Sequence, residues 1–140
     1  MTDRLREIIA EFEGVPDEFR LEMLLERARA FPPLPERYRT LREKGLGRVH
    51  ECMAEVYFFP EVESGAVRIH ADIPGEAPTQ RALVGILMDA YNGAPAEAVA
   101  AIPPDLLNRL GIARMLGMQR QQGFAGVIAA LQHGVAEAAR

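Results

Sequence analysis

The sequence carries a single cysteine, Cys52, in the segment Val49-His50-Glu51-Cys52-Met53-Ala54-Glu55-Val56. A thiolate is among the strongest nucleophiles a protein side chain can offer, so a lone cysteine raises the question of a reactive thiol. A lone cysteine cannot close an intrachain disulfide and falls far short of a cysteine-based metal centre. The neighbouring charges do not by themselves activate it. Glu51 and Glu55 disfavour a thiolate, while Arg48 and a protonated His50 favour one. A lone cysteine can equally be a small buried hydrophobe, and the residues alone leave both readings open. A reactive thiol suits a reducing compartment.

The remaining chemistry-bearing residues specify less. The three histidines, His50, His70 and His133, show no metal-ligand spacing on one helix and read as exposed or structurally satisfied. There is no glycine-rich phosphate loop and no nucleophile elbow. Most carboxylates fall on helix faces where solvation accounts for them. No metal and no cofactor are expected. A thiol enzyme pairing Cys52 with His50 or His70 is one reading, and a scaffold or interaction module without chemistry at Cys52 is another.

Positioning Cys52 falls to the elements around it. Leu5, Ile8, Ile9 and Phe12 recur at helical spacing over Asp3–Glu13, with Thr2 or Asp3 as cap and Gly14 as stop. A second helix is expected from about Pro16 to Ala30, with Leu21, Leu24, Leu25 and Ala28 on one side. Phe31-Pro32-Pro33-Leu34-Pro35 then forms a stiff, extended connector. From Val49 to Phe59 the period changes to two. Cys52, Ala54, Val56 and Phe58 lie on one face, and Met53, Tyr57 and Phe59 lie on the other. Val67, Ile69, Ala71 and Ile73 repeat the alternation after a turn near Glu63-Ser64-Gly65, which predicts an antiparallel hairpin. Beyond Pro74-Gly75 the pattern is helical to the end. A strong stripe of Leu83, Ile86, Leu87, Ala90 and Tyr91 closes at Asn92-Gly93. Short helices follow near Pro95–Ala101 and Pro103–Leu110, and a last helix carries Phe124, Val127, Ile128, Leu131 and Val135. Helices, a small sheet and more helices make an α+β class.

At 140 residues, 49% of them hydrophobic, the chain fits one domain spanning 1–140 with a core of its own. A net charge of −4, with basic residues scattered rather than clustered, argues against a nucleic-acid partner. No apolar run is long enough for a membrane helix, and the charged N-terminal stretch does not read as a signal peptide. A cytoplasmic protein is therefore expected.

Three segments in order carry a family likeness: Phe31-Pro32-Pro33-Leu34-Pro35-Glu36, Val49-His50-Glu51-Cys52 leading into a strand, and Arg120-Gln121-Gln122-Gly123-Phe124 opening the last helix. With Asp17-Glu18-Phe19-Arg20 and Leu106–Leu110, they resemble the SufE sulfur-acceptor proteins over almost the whole chain. The resemblance implies a small antiparallel sheet packed by helices, similar to NifU-type scaffolds. It also implies a carrier that takes persulfide sulfur from a pyridoxal-phosphate-dependent cysteine desulfurase of the SufS type, stimulates that enzyme, and passes sulfur to an iron–sulfur scaffold such as a SufBCD-like complex. Cys52 matches the acceptor cysteine. Arg120 matches an arginine just before the final helix, placed to stabilise the thiolate or to dock the partner. The carrier is expected as a monomer or a homodimer. The chain departs from the common pattern at Glu51, Met53, Ala54 and Tyr57, and in having no tryptophan.

Overall fold

The strongest apolar stripe of the sequence becomes the central helix of the fold. In the computed structural model, which describes residues 1–50, 52 and 55–140, the elements run α1 (Asp3–Phe12), α2 (Asp17–Arg29), α3 (Glu36–Glu43), β1 (Tyr57–Glu63), β2 (Ala66–Asp72), α4 (Pro78–Tyr91), α5 (Ala96–Ala100), α6 (Leu106–Arg109) and α7 (Ala113–Ala138). Leu83, Ile86, Leu87 and Tyr91 of α4 are fully buried, and so are Ala82 and Val84 on its other side. Only the stripe of Arg81, Gly85 and Asp89 is left towards the outside, so the helix needs neighbours over the rest of its surface. α1, α2 and β2 supply them.

α1 contributes Leu5, Ile8 and Phe12, all fully buried. They lie three and four residues apart, on the face turned to α4. Thr2 caps the helix by accepting from Leu5 N at 3.0 Å, and its hydroxyl donates to Ala90 O at 3.0 Å, tying the cap to the end of α4. α2 starts directly after Pro16, whose extended backbone suits the position before a helix. Its buried face is narrower than the sequence suggests. Leu24 and Ala28 are buried, but Leu21 is 46% exposed.

β1 and β2 pair antiparallel, from Tyr57 opposite Asp72 to Glu63 opposite Ala66. The hairpin turn has positive φ at Ser64 (52°) and Gly65 (81°). Two positive-φ residues define the tight turn whose twist matches paired strands. The inner face sets Phe58, Val67, Ile69 and Ala71 into the main core, where α7 crosses β1. The outer face carries a second cluster of Leu34, Tyr38, Tyr57 and Phe59. It is covered by α3, whose Tyr38 stacks on Phe59 with ring centroids 4.9 Å apart.

Two expectations need correction. The strand begins at Tyr57, not at Val49. Ahead of it Val49 N donates to Val56 O at 2.8 Å and Phe58 N donates to Gly47 O at 2.8 Å. Cys52 sits between Val49 and Val56 rather than on a strand. The expected places of Glu51, Met53 and Ala54 lie outside the described residues. The second correction concerns the last helix, which continues from Ala113 through a break at Gly117 (φ 75°, ψ 165°) to Ala138. Arg120 therefore lies inside α7, just past the break, and not before it. Among the described residues no helix is long and apolar enough to cross a membrane.

Candidate functional site

Cys52 is only 3% exposed and belongs to the main core, beside Val49 and Val56 of its own segment. Its backbone N–H donates to Val49 O at 3.3 Å, a turn that directs the side chain inward. The Sγ–H faces α7 and donates to Gly123 O at 3.4 Å. α7 passes the thiol at Gly123. A Cβ there would stand 3.6 Å from Cys52 Sγ and 3.5 Å from Gln80 Nε2, so the thiol and the Gln80 amide flank one point on α7.

A cavity of about 230 Å³ opens beside the thiol, lined by Cys52, by Glu76 to Gln80, and by Gln119, Arg120 and Gly123. Two elements build it. From α7 come Gln119, Arg120 and Gly123, which share a helix face because they lie three and four residues apart. From the other side comes the start of α4, where Pro78 takes the first helical position and the first intrahelical bond runs from Arg81 N to Ala77 O at 3.1 Å. A helix start directs unsatisfied N–H groups and a partial positive charge outward along its axis. No side chain caps this one, and its first turn holds no acidic residue.

The lining is graded in exposure. Cys52 and Gln80 are buried, whereas Glu76, Gln119 and Arg120 are exposed. Gln80 is the only buried polar residue among those described, and its Oε1 has no hydrogen-bond partner. The site thus has a buried floor carrying the thiol and the Gln80 amide nitrogen, and charged groups of both signs towards solvent.

The structure brings Cys52 and Arg120 to one cavity. It does not bring the histidines there. His50 is exposed and does not line it. His70 belongs to the outer face of the sheet, 4.9 Å from the Tyr38 ring and 3.2 Å from Glu61. Its burial lowers its pKa below the ordinary histidine value, against the opposing pull of Glu61. The cavity therefore offers no histidine base for a self-sufficient thiol enzyme. Among the described residues, no group of three histidine, cysteine or carboxylate side chains could hold a metal ion.

Sequence reasoning missed Gln80, Gly123 and the start of α4. Pro78 was the available signal, because proline favours the first turn of a helix. Nothing local marks Gln80, which reaches the thiol only because α4 and α7 converge.

Residues 6–135 match the family model for SufE, described as an Fe-S metabolism associated domain. The chain belongs to the SufE family. Among its relatives, an uncharacterised SufE-like protein of Mycobacterium tuberculosis is 30% identical over 135 residues, which is 96% of this chain and 92% of that protein. The cysteine desulfuration protein SufE of Plasmodium vivax is 28% identical over 133 residues, covering 91% of this chain and 51% of the relative. In structure, a hypothetical protein from Thermus thermophilus superposes with a TM-score of 0.86 at 32% identity, over 99% of this chain and 98% of the other. The SufE fold is thus the α+β arrangement of a small antiparallel sheet packed by helices that the sequence implied.

Proposed function

We propose that this SufE-family chain is a sulfur carrier acting in cysteine desulfuration for iron–sulfur metabolism. Cys52 is the acceptor of persulfide sulfur from a pyridoxal-phosphate-dependent cysteine desulfurase, and the sulfur then passes to an iron–sulfur cluster scaffold. The observation that carries this reading is the placement of the sole cysteine, 3% exposed, at the floor of a cavity with room beyond its sulfur.

The chemistry follows from that placement. The Cys52 thiolate attacks the outer sulfur of the enzyme's persulfide. A new S–S bond forms on Cys52, the old one breaks, and the desulfurase cysteine leaves as its thiolate. The product extends Sγ by one S–S bond, about 2 Å, into a cavity of about 230 Å³. There the labile persulfide is kept from reductants and oxidants in bulk water. At rest the thiol is buried and donates to Gly123 O, so it is covered until a partner docks. Activation therefore falls to the docked complex. Arg120, exposed at the rim of the same cavity, supplies the positive charge that favours a thiolate and meets the incoming persulfide anion.

Mixing the protein with a cysteine desulfurase and free cysteine, then removing the enzyme, tests the proposal by intact mass. The expected result is a gain of one sulfur atom, lost on treatment with a reductant and absent from Cys52→Ser. A parent protein that gains no sulfur while the desulfurase turns over would overturn it.

A further inference from the structure

Sulfur on Cys52 changes what the cavity has to supply. As a thiol, Sγ donates to Gly123 O at 3.4 Å. As a persulfide anion the group has no proton to donate, and its charge lies on the outer sulfur. The Gly123 carbonyl then faces an acceptor instead of a donor, and a charge held away from water needs a hydrogen bond of its own. The outer sulfur, about 2 Å beyond Sγ, is driven towards whichever side of the cavity carries a donor.

Gln80 carries one. It is the one buried polar residue among those described, 8% exposed, and it lines the cavity. Its Oε1 is shut in, and Nε2 is the end of the amide beside the thiol, 3.5 Å from the point on Gly123 that lies 3.6 Å from Cys52 Sγ. Nε2 finds no acceptor among the described residues, and unlike Oε1 it is not closed off, so its N–H groups open to the cavity. A nearly buried donor without an acceptor calls for one that the fold itself does not supply. The start of α4 adds its positive end on the same side, where Pro78 has no N–H and the next two residues have no earlier carbonyl of the helix to donate to.

We propose that Gln80 holds the carried sulfur: its Nε2–H donates to the outer sulfur of the Cys52 persulfide, keeping that sulfur anionic and fixed inside the cavity. The inference deepens the sulfur-carrier reading and rests on it only for the source of the sulfur. At rest the donor is idle, and one added sulfur atom brings an acceptor to it. The charge also selects the N–H end of the amide over its carbonyl. Arg120, exposed at the rim, meets the sulfur on its way in, and Gln80 keeps it once there. An outer sulfur held as an anion repels the thiolate of a reductant, so the same donor prolongs the life of the cargo.

Loading with inorganic polysulfide makes the persulfide without a desulfurase, and intact mass identifies the species with one added sulfur. Sulfur accepted from polysulfide but never from a desulfurase would overturn the carrier reading alone. A Cys52 that takes sulfur from neither would overturn both. On the parent, NMR before and after loading should move the side-chain NH2 resonances of Gln80. Those of Gln132, which does not line the cavity and donates to Val99 O at 3.1 Å, should stay in place. An unmoved Gln80 NH2 would overturn the proposal. Loaded protein is then alkylated with a haloacetamide over a pH series, and the product that retains its extra sulfur reports the pKa of the persulfide. In Gln80→Met, close in size but without the donor, that pKa should lie about one unit higher than in the parent. Gln80→Glu, which places a carboxylate there, should raise it further. The pKa of the unloaded Cys52 thiol, followed in the same way, should be alike in parent and Gln80→Met. Equal persulfide pKa values in parent and Gln80→Met, or a thiol that shifts as far as the persulfide, would overturn the donor role.

Discussion

The two ends of α4 belong to different environments. From Leu83 to Tyr91 the helix packs into the core, with Leu83, Ile86, Leu87 and Tyr91 fully buried against α1 and α2 and only Gly85 and Asp89 turned outward. At its start, five residues earlier, it faces a cavity lined by the Cys52 thiol, by Gln80 and by the exposed charges of Glu76 and Arg120. The first region has the form expected where burial supplies stability. Each end leaves one buried polar atom without a partner, the Tyr91 hydroxyl at the packed end and Gln80 Oε1 at the other, and only the second end does so next to a cavity and a thiol. One helix thus fixes the cavity end relative to the packed one.

The comparison breaks most completely at the sulfur itself. Cys52→Ser should abolish sulfur acceptance and desulfurase stimulation. Its stability should change by about 1 kcal/mol, because the hydroxyl can still donate to Gly123 O. Chemical denaturation beside a desulfurase assay separates the two effects. At the packed end the outcome inverts. Leu87→Ala should cost about 2–5 kcal/mol of stability by opening a cavity in the core, while each molecule that remains folded accepts sulfur as the parent does. A Leu87→Ala protein of parental stability would show that this end is not what holds the fold.

Smaller effects sharpen the contrast. Arg120→Ala touches an exposed side chain, so its stability should stay within about 0.5 kcal/mol of the parent. Desulfurase stimulation should fall roughly tenfold, about 1.4 kcal/mol, with partial recovery in Arg120→Lys. Unchanged stimulation in Arg120→Ala would remove Arg120 from the site. The smallest effect lies at the other end, where Asp89 of α4 accepts from Arg4 at 2.9 and 2.8 Å and from Arg27 at 3.1 Å. The hydrogen bond from Arg4, then that from Arg27, hold its carboxyl below the ordinary range against partial burial. A folded pKa below the unfolded one contributes stability above the unfolded value, near 3.8, and loses it as pH falls through the folded value. Asp89→Asn should therefore cost about 0.5–1 kcal/mol at neutral pH, a screened, half-exposed network being worth no more. It should also flatten the loss of stability below about pH 4. Sulfur acceptance should not change.

Much of the packed end was legible in the sequence because burial writes itself into periodicity. The α1 and α4 stripes, the alternation of β2 and the Ser64-Gly65 turn all follow from spacing and turn chemistry. Helix α3 escaped because Glu36–Glu43 offers only Tyr38 and Leu41 as apolar residues. It is held by stacking on Phe59, a contact seen only once the hairpin exists. The period-two reading of Val49–Phe59 placed the inward residues correctly at Cys52, Val56 and Phe58, all buried in one core. It misread their backbone, since Cys52 turns its side chain inward from outside the strand. Of the cavity, Cys52 and Arg120 were accessible through family likeness. Gln80 was not, because its meaning depends on where α7 crosses the start of α4.

The account holds that Cys52 is sheltered in the isolated protein and brought out only by its partner. The most direct test times alkylation of Cys52 by a small haloacetamide, alone and with a cysteine desulfurase whose own reactive cysteine has been replaced. A thiol 3% exposed, donating to Gly123 O, should label far more slowly than a cysteine in an unfolded peptide, and markedly faster once the desulfurase is added. Labelling of the isolated protein at the unfolded-peptide rate would contradict the account.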